Sequence, residues 1–247
     1  MKHSAPAVIM AIGIFLVWQL VAMVINAPYI LPTPLQILEK IWVLKENLFF
    51  VQLPATLQVT GIGLGISIVL GLALAMAMDR FPALERALYP VVVATQTIPT
   101  TAIAPLFVLW FGYSIWSKVL VTILITFFPI TITVFDGLKS TKREMEELLT
   151  SYGASPWDIF WKLKLPTALP SFFSAIKMAI PLSVIGAAIA EWLGAQEGLG
   201  YFSKRMMTQL DGAGVFAPIV LLSVVAMVAV FIITKIEDHW ITWRKDA

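Results

Sequence analysis

Long stretches of this chain carry no charged side chain. These charge-free runs cover residues 4–38, 47–78, 87–117, 119–135, 178–190 and 212–234. A helix needs about 20 apolar residues to cross the hydrocarbon core of a bilayer, and several of the runs reach that length. In lipid every backbone N–H and C=O must be paired within the protein, so a spanning segment is a helix or part of a closed barrel. Residues 8–25 and 215–233 are apolar on nearly every side and do not alternate as barrel strands do, which predicts an all-α membrane protein.

We predict about six transmembrane helices in a single domain that covers residues 1–247, with its core at about residues 50–235. The predicted spans are residues 7–26, 57–78, 88–111, 118–136, 169–190 and 215–235. If the amino terminus is cytoplasmic, most Lys and Arg residues of the connecting segments fall on the inner side. The outer side then receives Lys40, Lys45, Lys118, Lys204 and Arg205. This excess favours a multi-pass protein of the cytoplasmic membrane with both termini in the cytoplasm.

Composition excludes several classes of function. Charged residues make up 13% of the chain, against about 25% in soluble domains. The net charge of +2 is too small to indicate a nucleic-acid partner. The chain has no cysteine, and its two histidines, His3 and His239, lie near opposite ends, so we expect no metal site. No constellation of His, Cys or carboxylate residues indicates a nucleophile within the membrane, so we expect no enzymatic activity.

Polar residues interrupt the third predicted span. In the segment TQTIPTTAIAPLFVLWFGY, Gln96, Thr97 and Thr100 flank Pro99. Proline kinks a helix, and polar side chains at this depth favour a protein or water neighbour over lipid. These three residues are therefore candidates for lining a translocation pathway, although threonine hydroxyls also bond back to their own helix. Glu191, where the fifth span ends, is a further candidate for a gate or a docking contact; the alternative is a solvated helix end.

A charged, amphipathic insert, EELLTSYGASPWDIFWKLKLPTALP, lies between the fourth and fifth spans. Thr141 precedes Glu144 by three residues, which is the spacing of a capping box and predicts that a helix starts there. Apolar residues then gather on one face of this helix. They are Met145, Leu148, Leu149 and Tyr152. Gly153 is placed to end the helix in the left-handed conformation that favours glycine.

A second helix is predicted directly after the first. Ser155 suits an N-cap, Pro156 the first helical position, and Asp158 the first turn, where its charge meets the helix dipole favourably. Pro166 and Pro170 are expected to end this helix before the fifth span. The insert is therefore predicted to be two short helices that meet at a sharp corner. Its apolar residues are equally compatible with an amphipathic hairpin in the membrane interface.

The insert also carries a longer pattern: Glu147-Leu148-Leu149, three residues, Gly153, nine residues, Leu163, one residue, and Leu165-Pro166. This pattern resembles the EAA loop of permease subunits of bacterial ABC importers, with leucines in place of the two usual alanines and Leu163 in place of isoleucine. The segments TQTIPTTAIAPLFVLWFGY and AEWLGAQEGLGYF resemble the nitrate, sulfonate and taurine permeases, and especially the permeases for pyrimidine precursors of thiamine. The resemblance implies the type I ABC importer permease fold.

The resemblance further implies that the insert, at about residues 140–168, contains the coupling helix that sits in a cleft of a separate ATPase subunit. Ala154, Ser155 and Trp157 are expected to enter that cleft, and Glu147 and Gly153 to determine the shape of the corner. The full set of expected coupling residues is Glu147, Gly153, Ala154, Ser155, Trp157, Leu165 and Pro166. No segment matches the phosphate-binding pattern G-x-x-x-x-G-K-[ST], so ATP and Mg²⁺ are expected on the partner ATPase and no cofactor on this chain.

The expected assembly contains a permease homodimer, two ATPase subunits and an external solute-binding protein. Membrane lipid is expected to surround the permease. Alternating access would pass a small solute, either a thiamine-related pyrimidine precursor or a sulfonate-, taurine- or nitrate-like compound. The rival class is an ion-gradient-driven secondary transporter, which normally has buried ionisable groups near the midplane and repeated halves. Neither is evident in the sequence, and we expect no ion pair within the membrane.

Overall fold

The computed structural model describes residues 5–95, 97 and 99–242. In that part of the chain all the regular structure is helical. The helices, in chain order, are α1 (Ala5–Ile25), α2 (Pro34–Val43), α3 (Lys45–Arg80), α4 (Pro82–Thr95), α5 (Thr100–Phe111), α6 (Ile115–Lys139), α7 (Arg143–Ser151), α8 (Pro156–Gly194), α9 (Leu199–Thr208) and α10 (Gly212–Trp240). The predicted all-α fold is confirmed.

Five helices, α1, α3, α6, α8 and α10, are long and apolar enough to cross a membrane. The third predicted span, residues 88–111, is not one kinked helix. It is divided into α4 and α5, which meet at an angle of 93°. Pro99 has extended backbone (φ −65°, ψ 109°) and begins α5 as its N-cap, so the proline starts a new helix where a kink was predicted. With α4 and α5 counted together, six spans are present in the described residues.

The spanning helices form a bundle with two distinct ends. We call the end that holds α7 and the start of α8 the corner end, and the end that holds α2 and α9 the far end. Helix α6 runs to the corner end, α8 returns to the far end, and α10 runs back again. Trp18 of α1 contacts Phe216 near the start of α10, so α1 ends at the far end. Both termini of the described chain therefore lie at the corner end.

The core of the bundle is the packing of α6 against α3 and α8. Small residues of α3 allow the close approach: a Cβ on Gly71 would lie 2.8 Å from Ile130 Cγ2. About one helical turn from that contact, the Thr126 hydroxyl donates a hydrogen bond to Ser67 Oγ at 2.7 Å. Phe135 and Leu138 belong, with Ile130, to a buried apolar cluster that extends toward the corner end. The three helices thus form the frame on which the two ends are built.

Two long helices contain a π turn directly before a Leu-Pro pair. In α3 the turn is Leu48–Gln52, followed by Pro54, and in α8 it is Phe160–Lys164, followed by Pro166. The Leu165 N–H bonds to the Phe160 carbonyl, one residue further back than in an α-helix. The wider turn accommodates the proline ring, which lacks an N–H and would crowd the preceding turn. The prediction that Pro166 and Pro170 end a short helix is therefore wrong.

An ion pair lies between two of the spanning helices. Lys177 of α8 pairs with Glu237 of α10, and both side chains are largely buried. Glu237 lies two residues beyond the predicted sixth span, so the pair joins the corner-end parts of the two helices. The sequence separation of 60 residues hides the pair from any local pattern. A buried charge needs a partner of opposite sign, so each residue compensates the other in the bundle.

The far end is held by caps and one ion pair. Asp211 caps α10 by accepting the Gly214 N–H at 2.9 Å, and it pairs with Lys40 of α2. Burial raises the pKa of the Asp211 carboxyl, but the hydrogen bonds from Lys40 and Gly214 and the charge of Lys40 outweigh it, so this pKa lies below its usual value. Asp211 therefore stays ionised and ties α2 to the start of α10.

Candidate functional site

The corner begins at α7, whose start differs from the prediction. Lys142 is the N-cap and makes no side-chain cap bond, so the predicted capping box of Thr141 and Glu144 is wrong. The Thr141 hydroxyl donates back to the Leu138 carbonyl at 3.2 Å, at the end of the preceding helix. Glu144 and Glu146 still lie in the first turn of α7, where they complement the helix dipole.

Helix α7 ends in a Schellman motif centred on Gly153. The Gly153 N–H bonds to the Thr150 carbonyl at 2.9 Å, and the Ala154 N–H bonds to the Leu149 carbonyl at 3.0 Å. Gly153 has φ +83°, a left-handed conformation that costs other L-residues energy. The predicted ending of this helix at Gly153 is confirmed.

Helix α8 begins at Pro156, three residues after Gly153. The Ser155 hydroxyl accepts the Asp158 N–H at 3.1 Å, and Pro156 occupies the first turn, as predicted. Asp158 pairs in turn with Lys162 at 2.6 Å. The bonds on both sides of Gly153 leave little freedom between α7 and α8, so the residues from Tyr152 to Pro156 form a compact turn. We call this segment the 152–156 corner.

The 152–156 corner and its flanks present apolar side chains that the chain itself does not cover. No residue of α7 is buried. Tyr152 is 82% exposed and Trp157 is 69% exposed. Trp157 lies against Phe160 and Trp161, with ring centroids 6.3 and 5.4 Å away. Exposed apolar patches of this kind mark surfaces that contact a partner or a membrane.

The remaining predicted coupling residues flank this patch. Glu147 is exposed and pairs with Arg143 at 2.7 Å on the surface of α7. Ser155 is exposed, and Ala154 is half-buried in the turn. Leu165 and Pro166 are half-buried where α8 enters the bundle after its π turn. The structure therefore places all seven residues at the corner end, with Leu165 and Pro166 further from the tip than the others.

A second arrangement of polar residues lies at the far end, around the amino end of α9. Glu191 Oε2 accepts the Gly200 N–H at 2.7 Å, Gln52 Oε1 accepts the Gly198 N–H at 2.8 Å, and Thr56 Oγ1 accepts the Leu199 N–H at 2.8 Å. All three side chains are buried. They satisfy backbone donors that a helix start leaves without partners. We call Gln52, Thr56 and Glu191 the capping cluster.

The capping cluster changes the interpretation of Glu191. Its side chain is 1% exposed, so the alternative of a solvated helix end is wrong. Sequence analysis did not find Gln52 and Thr56, although their polarity within the apolar run of residues 47–78 was a signal. Gly198 completes the arrangement with φ +125°, a conformation open almost only to glycine. A Cβ there would overlap the Glu191 carboxyl group.

Of the candidate pathway residues in the third span, the structure describes Thr97 and Thr100. Thr97 is exposed, and its hydroxyl donates to the Ala94 carbonyl at 2.7 Å. Thr100 is half-buried and, with Thr95 and Pro129, lines a cavity of about 230 Å³ beside α6. Gln96 lies outside the described residues. Within the described residues, no group of three or more His, Cys, Asp and Glu side chains could hold a metal ion.

A helical bundle with six candidate membrane spans and an exposed apolar corner at one end defines a multi-pass helical membrane protein. The family model of the "Binding-protein-dependent transport system inner membrane component" matches residues 67–242. The chain belongs to this family and is a transmembrane permease subunit of an ABC importer. The rival assignment to secondary transporters is thereby excluded.

Two relatives cover nearly the whole chain. The chain is 52% identical over 248 residues to the formylaminopyrimidine transport permease protein ThiX of Halalkalibacterium halodurans, with 99% of each chain covered. It is 34% identical over 241 residues to the riboflavin transport system permease protein RibX of Chloroflexus aurantiacus, with 97% of this chain and 89% of RibX covered.

A solved structure shares the fold. The inward-facing MetNI methionine ABC transporter contains a chain that is similar to this one with a TM-score of 0.64 at 20% sequence identity. The similarity covers 81% of this chain and 95% of that chain. This likeness confirms the predicted type I importer permease fold.

Proposed function

We propose that this permease imports a formylated aminopyrimidine, a precursor of the pyrimidine part of thiamine. The observation that carries the proposal is the 52% identity to a formylaminopyrimidine transport permease over the full length of both chains. The more distant relatives include taurine and aliphatic sulfonate permeases at 25% and 32% identity. A sulfonate-like solute is therefore the alternative substrate class.

The 152–156 corner is the docking element for a separate ATPase subunit, which binds ATP and Mg²⁺. Three features support this assignment: hydrogen bonds hold the turn on both sides of Gly153, no residue of α7 is buried, and Tyr152 and Trp157 are mostly exposed. Rigidity matters because a docking element transmits displacement only if it moves as a body. Closure of two ATPase subunits on ATP would then tilt the helices that begin and end at the corner.

The same assignment orients the chain in the membrane. ATP is cytoplasmic, so the corner end faces the cytoplasm and both termini lie there, in agreement with the excess of Lys and Arg on that side. The far end, with α2, α9 and the Lys40–Asp211 pair, faces outward toward an external solute-binding protein. One chain supplies half of a pathway, and a twofold homodimer is the simplest closed assembly.

Crosslinking tests the docking assignment. The chain has no cysteine, so Ala154→Cys and Trp157→Cys each introduce a single thiol. A thiol-anchored photo-crosslinker at either position is expected to form an adduct with the ATPase in the assembled transporter, because both positions lie at the exposed corner. The readout is the mass and identity of the adduct.

Tyr113→Cys is the matched control for crosslinking. Tyr113 is also exposed and aromatic, but it lies at the far end. It is expected to give no ATPase adduct. Adducts with phospholipid alone at positions 154 and 157 contradict the docking assignment and favour an amphipathic hairpin in the membrane interface.

Competition for uptake tests the substrate. Cells that carry the complete transporter are expected to accumulate labelled formylaminopyrimidine, and an excess of unlabelled formylaminopyrimidine is expected to reduce this uptake at least about tenfold. Taurine and riboflavin at the same excess are expected to have little effect, because a site that hydrogen-bonds one polar solute rejects solutes that leave those groups unpaired. Cells without the permease provide the background. Uptake that taurine suppresses as strongly as the pyrimidine contradicts the proposed substrate.

A further inference from the structure

One lysine at the corner end faces two carboxylates on different helices. Lys164 Nζ lies 3.1 and 3.2 Å from the two carboxylate oxygens of Asp79, and 3.5 Å from Glu146 Oε1. Asp79 belongs to the last turn of α3, Glu146 to α7, and Lys164 to the π turn of α8. The ammonium group therefore joins three helices at a single point.

The Lys164 contacts differ from the ion pairs within the corner helices. Lys164 and Asp79 side chains are 17% and 6% exposed, whereas Arg143–Glu147 and Lys162–Asp158 are exposed pairs within single helices. Salt screens exposed pairs and they contribute little, but a buried pair is screened much less. If one partner is removed, the other becomes an uncompensated buried charge. Lys177–Glu237 joins two spanning helices, whereas the Lys164 contacts join α7 to two of them, so their loss changes how α7 is held.

Helix α7 has little else to attach it to the bundle. None of its residues is buried, and its two ends join the chain through short connections at residues 140–142 and 152–155. Glu146 lies in the first turn of α7, on the side that meets Lys164. A displacement of α7 therefore reaches α3 and α8 directly through this side chain as well as through the backbone.

We propose that Lys164 is a positioning residue that transmits the movement of α7 to α3 and α8 during the transport cycle. The inference rests on the proposed docking of an ATPase at the 152–156 corner. Lys164 contacts neither solute nor nucleotide in this role. It keeps the end of α3 and the start of α8 moving with the docking element, so that ATP hydrolysis is converted into tilting of the spanning helices.

The test measures solute transported per ATP hydrolysed by the complete transporter, with its ATPase and binding protein, in proteoliposomes. The variant Lys164→Met with Asp79→Asn removes the contact without leaving a buried charge behind. It is expected to retain the ATPase subunit and ATP hydrolysis while the ratio of solute to ATP falls about tenfold, a coupling loss within the usual range between sites. Lys164→Arg, which keeps both carboxylates paired, is expected to restore most of the ratio.

Two further variants make the outcome decisive. Glu146→Gln removes only the α7 side of the contact and leaves the buried Lys164–Asp79 pair intact, so the fold is preserved, and the ratio is expected to fall several-fold. Lys235→Met is the control, because this exposed lysine of α10 lies over the Phe231 ring at the same end. A wild-type ratio in Glu146→Gln or in the double variant overturns the proposal. Failure of the ATPase to associate with the wild-type permease contradicts the proposed docking itself.

Discussion

Replacing Gly153 by valine is expected to abolish solute uptake while the amount of permease in the membrane stays unchanged. Gly153 has φ +83°, and no neighbouring atom lies within 4 Å of the position of an added Cβ. The substitution therefore creates no clash and acts through backbone strain of about 1–2 kcal/mol. The corner relieves this strain by changing its turn, which misplaces Ala154, Ser155 and Trp157 relative to the ATPase. Uptake and ATP hydrolysis measured together in proteoliposomes distinguish uncoupling from loss of assembly.

Two variants provide controls for Gly153→Val. Gly112 has φ +63° and equally open surroundings, but it lies at the far end. Gly112→Val imposes a backbone cost at least as large, because φ +63° with ψ −159° is a conformation open almost only to glycine, and it is expected to leave the ratio of uptake to ATP hydrolysis largely intact. Gly153→Asn is expected to retain more uptake than Gly153→Val, because asparagine enters the left-handed region more readily. Wild-type uptake by Gly153→Val contradicts the role assigned to the corner.

Replacing Gly198 by alanine is expected to destabilise the far end of the permease. Gly198 has φ +125°, and an added Cβ would overlap the Glu191 carboxyl group. The backbone conformation costs an L-residue about 1–3 kcal/mol. Displacement of Glu191 also leaves the buried Gly200 N–H without its acceptor, at about 1–3 kcal/mol more. Thermal unfolding of the detergent-purified permease is expected to shift down by several degrees.

Gly61→Ala is the matched control for this experiment. Gly61 lies within α3, and a Cβ there meets no atom within 4 Å. Alanine favours a helix interior over glycine, so this variant is expected to unfold at or slightly above the wild-type temperature. Equal unfolding temperatures for Gly198→Ala and Gly61→Ala contradict the assignment of Gly198 and Glu191 to a tightly packed capping cluster.

The 152–156 corner and the capping cluster lie at opposite ends of helix α8. Helix α8 begins at the 152–156 corner and carries Glu191 in its last turn. Its 39 residues extend over about 58 Å, more than the thickness of a hydrocarbon core of about 30 Å. A tilt of α8 driven from the corner therefore moves the capping cluster and the start of α9. If the ATPase docks at the corner as proposed, this helix connects the docking element directly with the far end.

The predictions that were confirmed depend on properties of residues close together in the sequence. The geometry around the corner follows from residues that act within one turn: Gly153 at the left-handed position, Ser155 as a cap and Pro156 in the first turn. The apolar runs likewise determine the spans, because lipid leaves helices as the only way to pair their backbone groups. The EAA-like pattern is likewise confined to one short segment of the chain, and it indicated the family that the family model matches.

The incorrect predictions concern side chains whose partners are distant in sequence and prolines that a π turn accommodates within a helix. Glu191 is buried because Gly198 and Gly200 fold back onto it. The pairing of Lys177 with Glu237 of the neighbouring α10 was likewise not indicated by any local pattern. Pro166 does not end a helix, because the π turn before it absorbs the missing hydrogen bond. The order of residues along the chain does not by itself show which distant partner a side chain meets or which turn the backbone adopts.

The sequence by itself determined that the chain spans a membrane as helices, where the turn between α7 and α8 lies and to which family the chain belongs. These properties depend on hydropathy and on hydrogen bonds between near neighbours. Only the tertiary structure decided that Lys164 joins three helices and that Gln52, Thr56 and Glu191 cap α9. Such contacts form between residues separated by up to 146 positions, and they exist only once the spanning helices have packed.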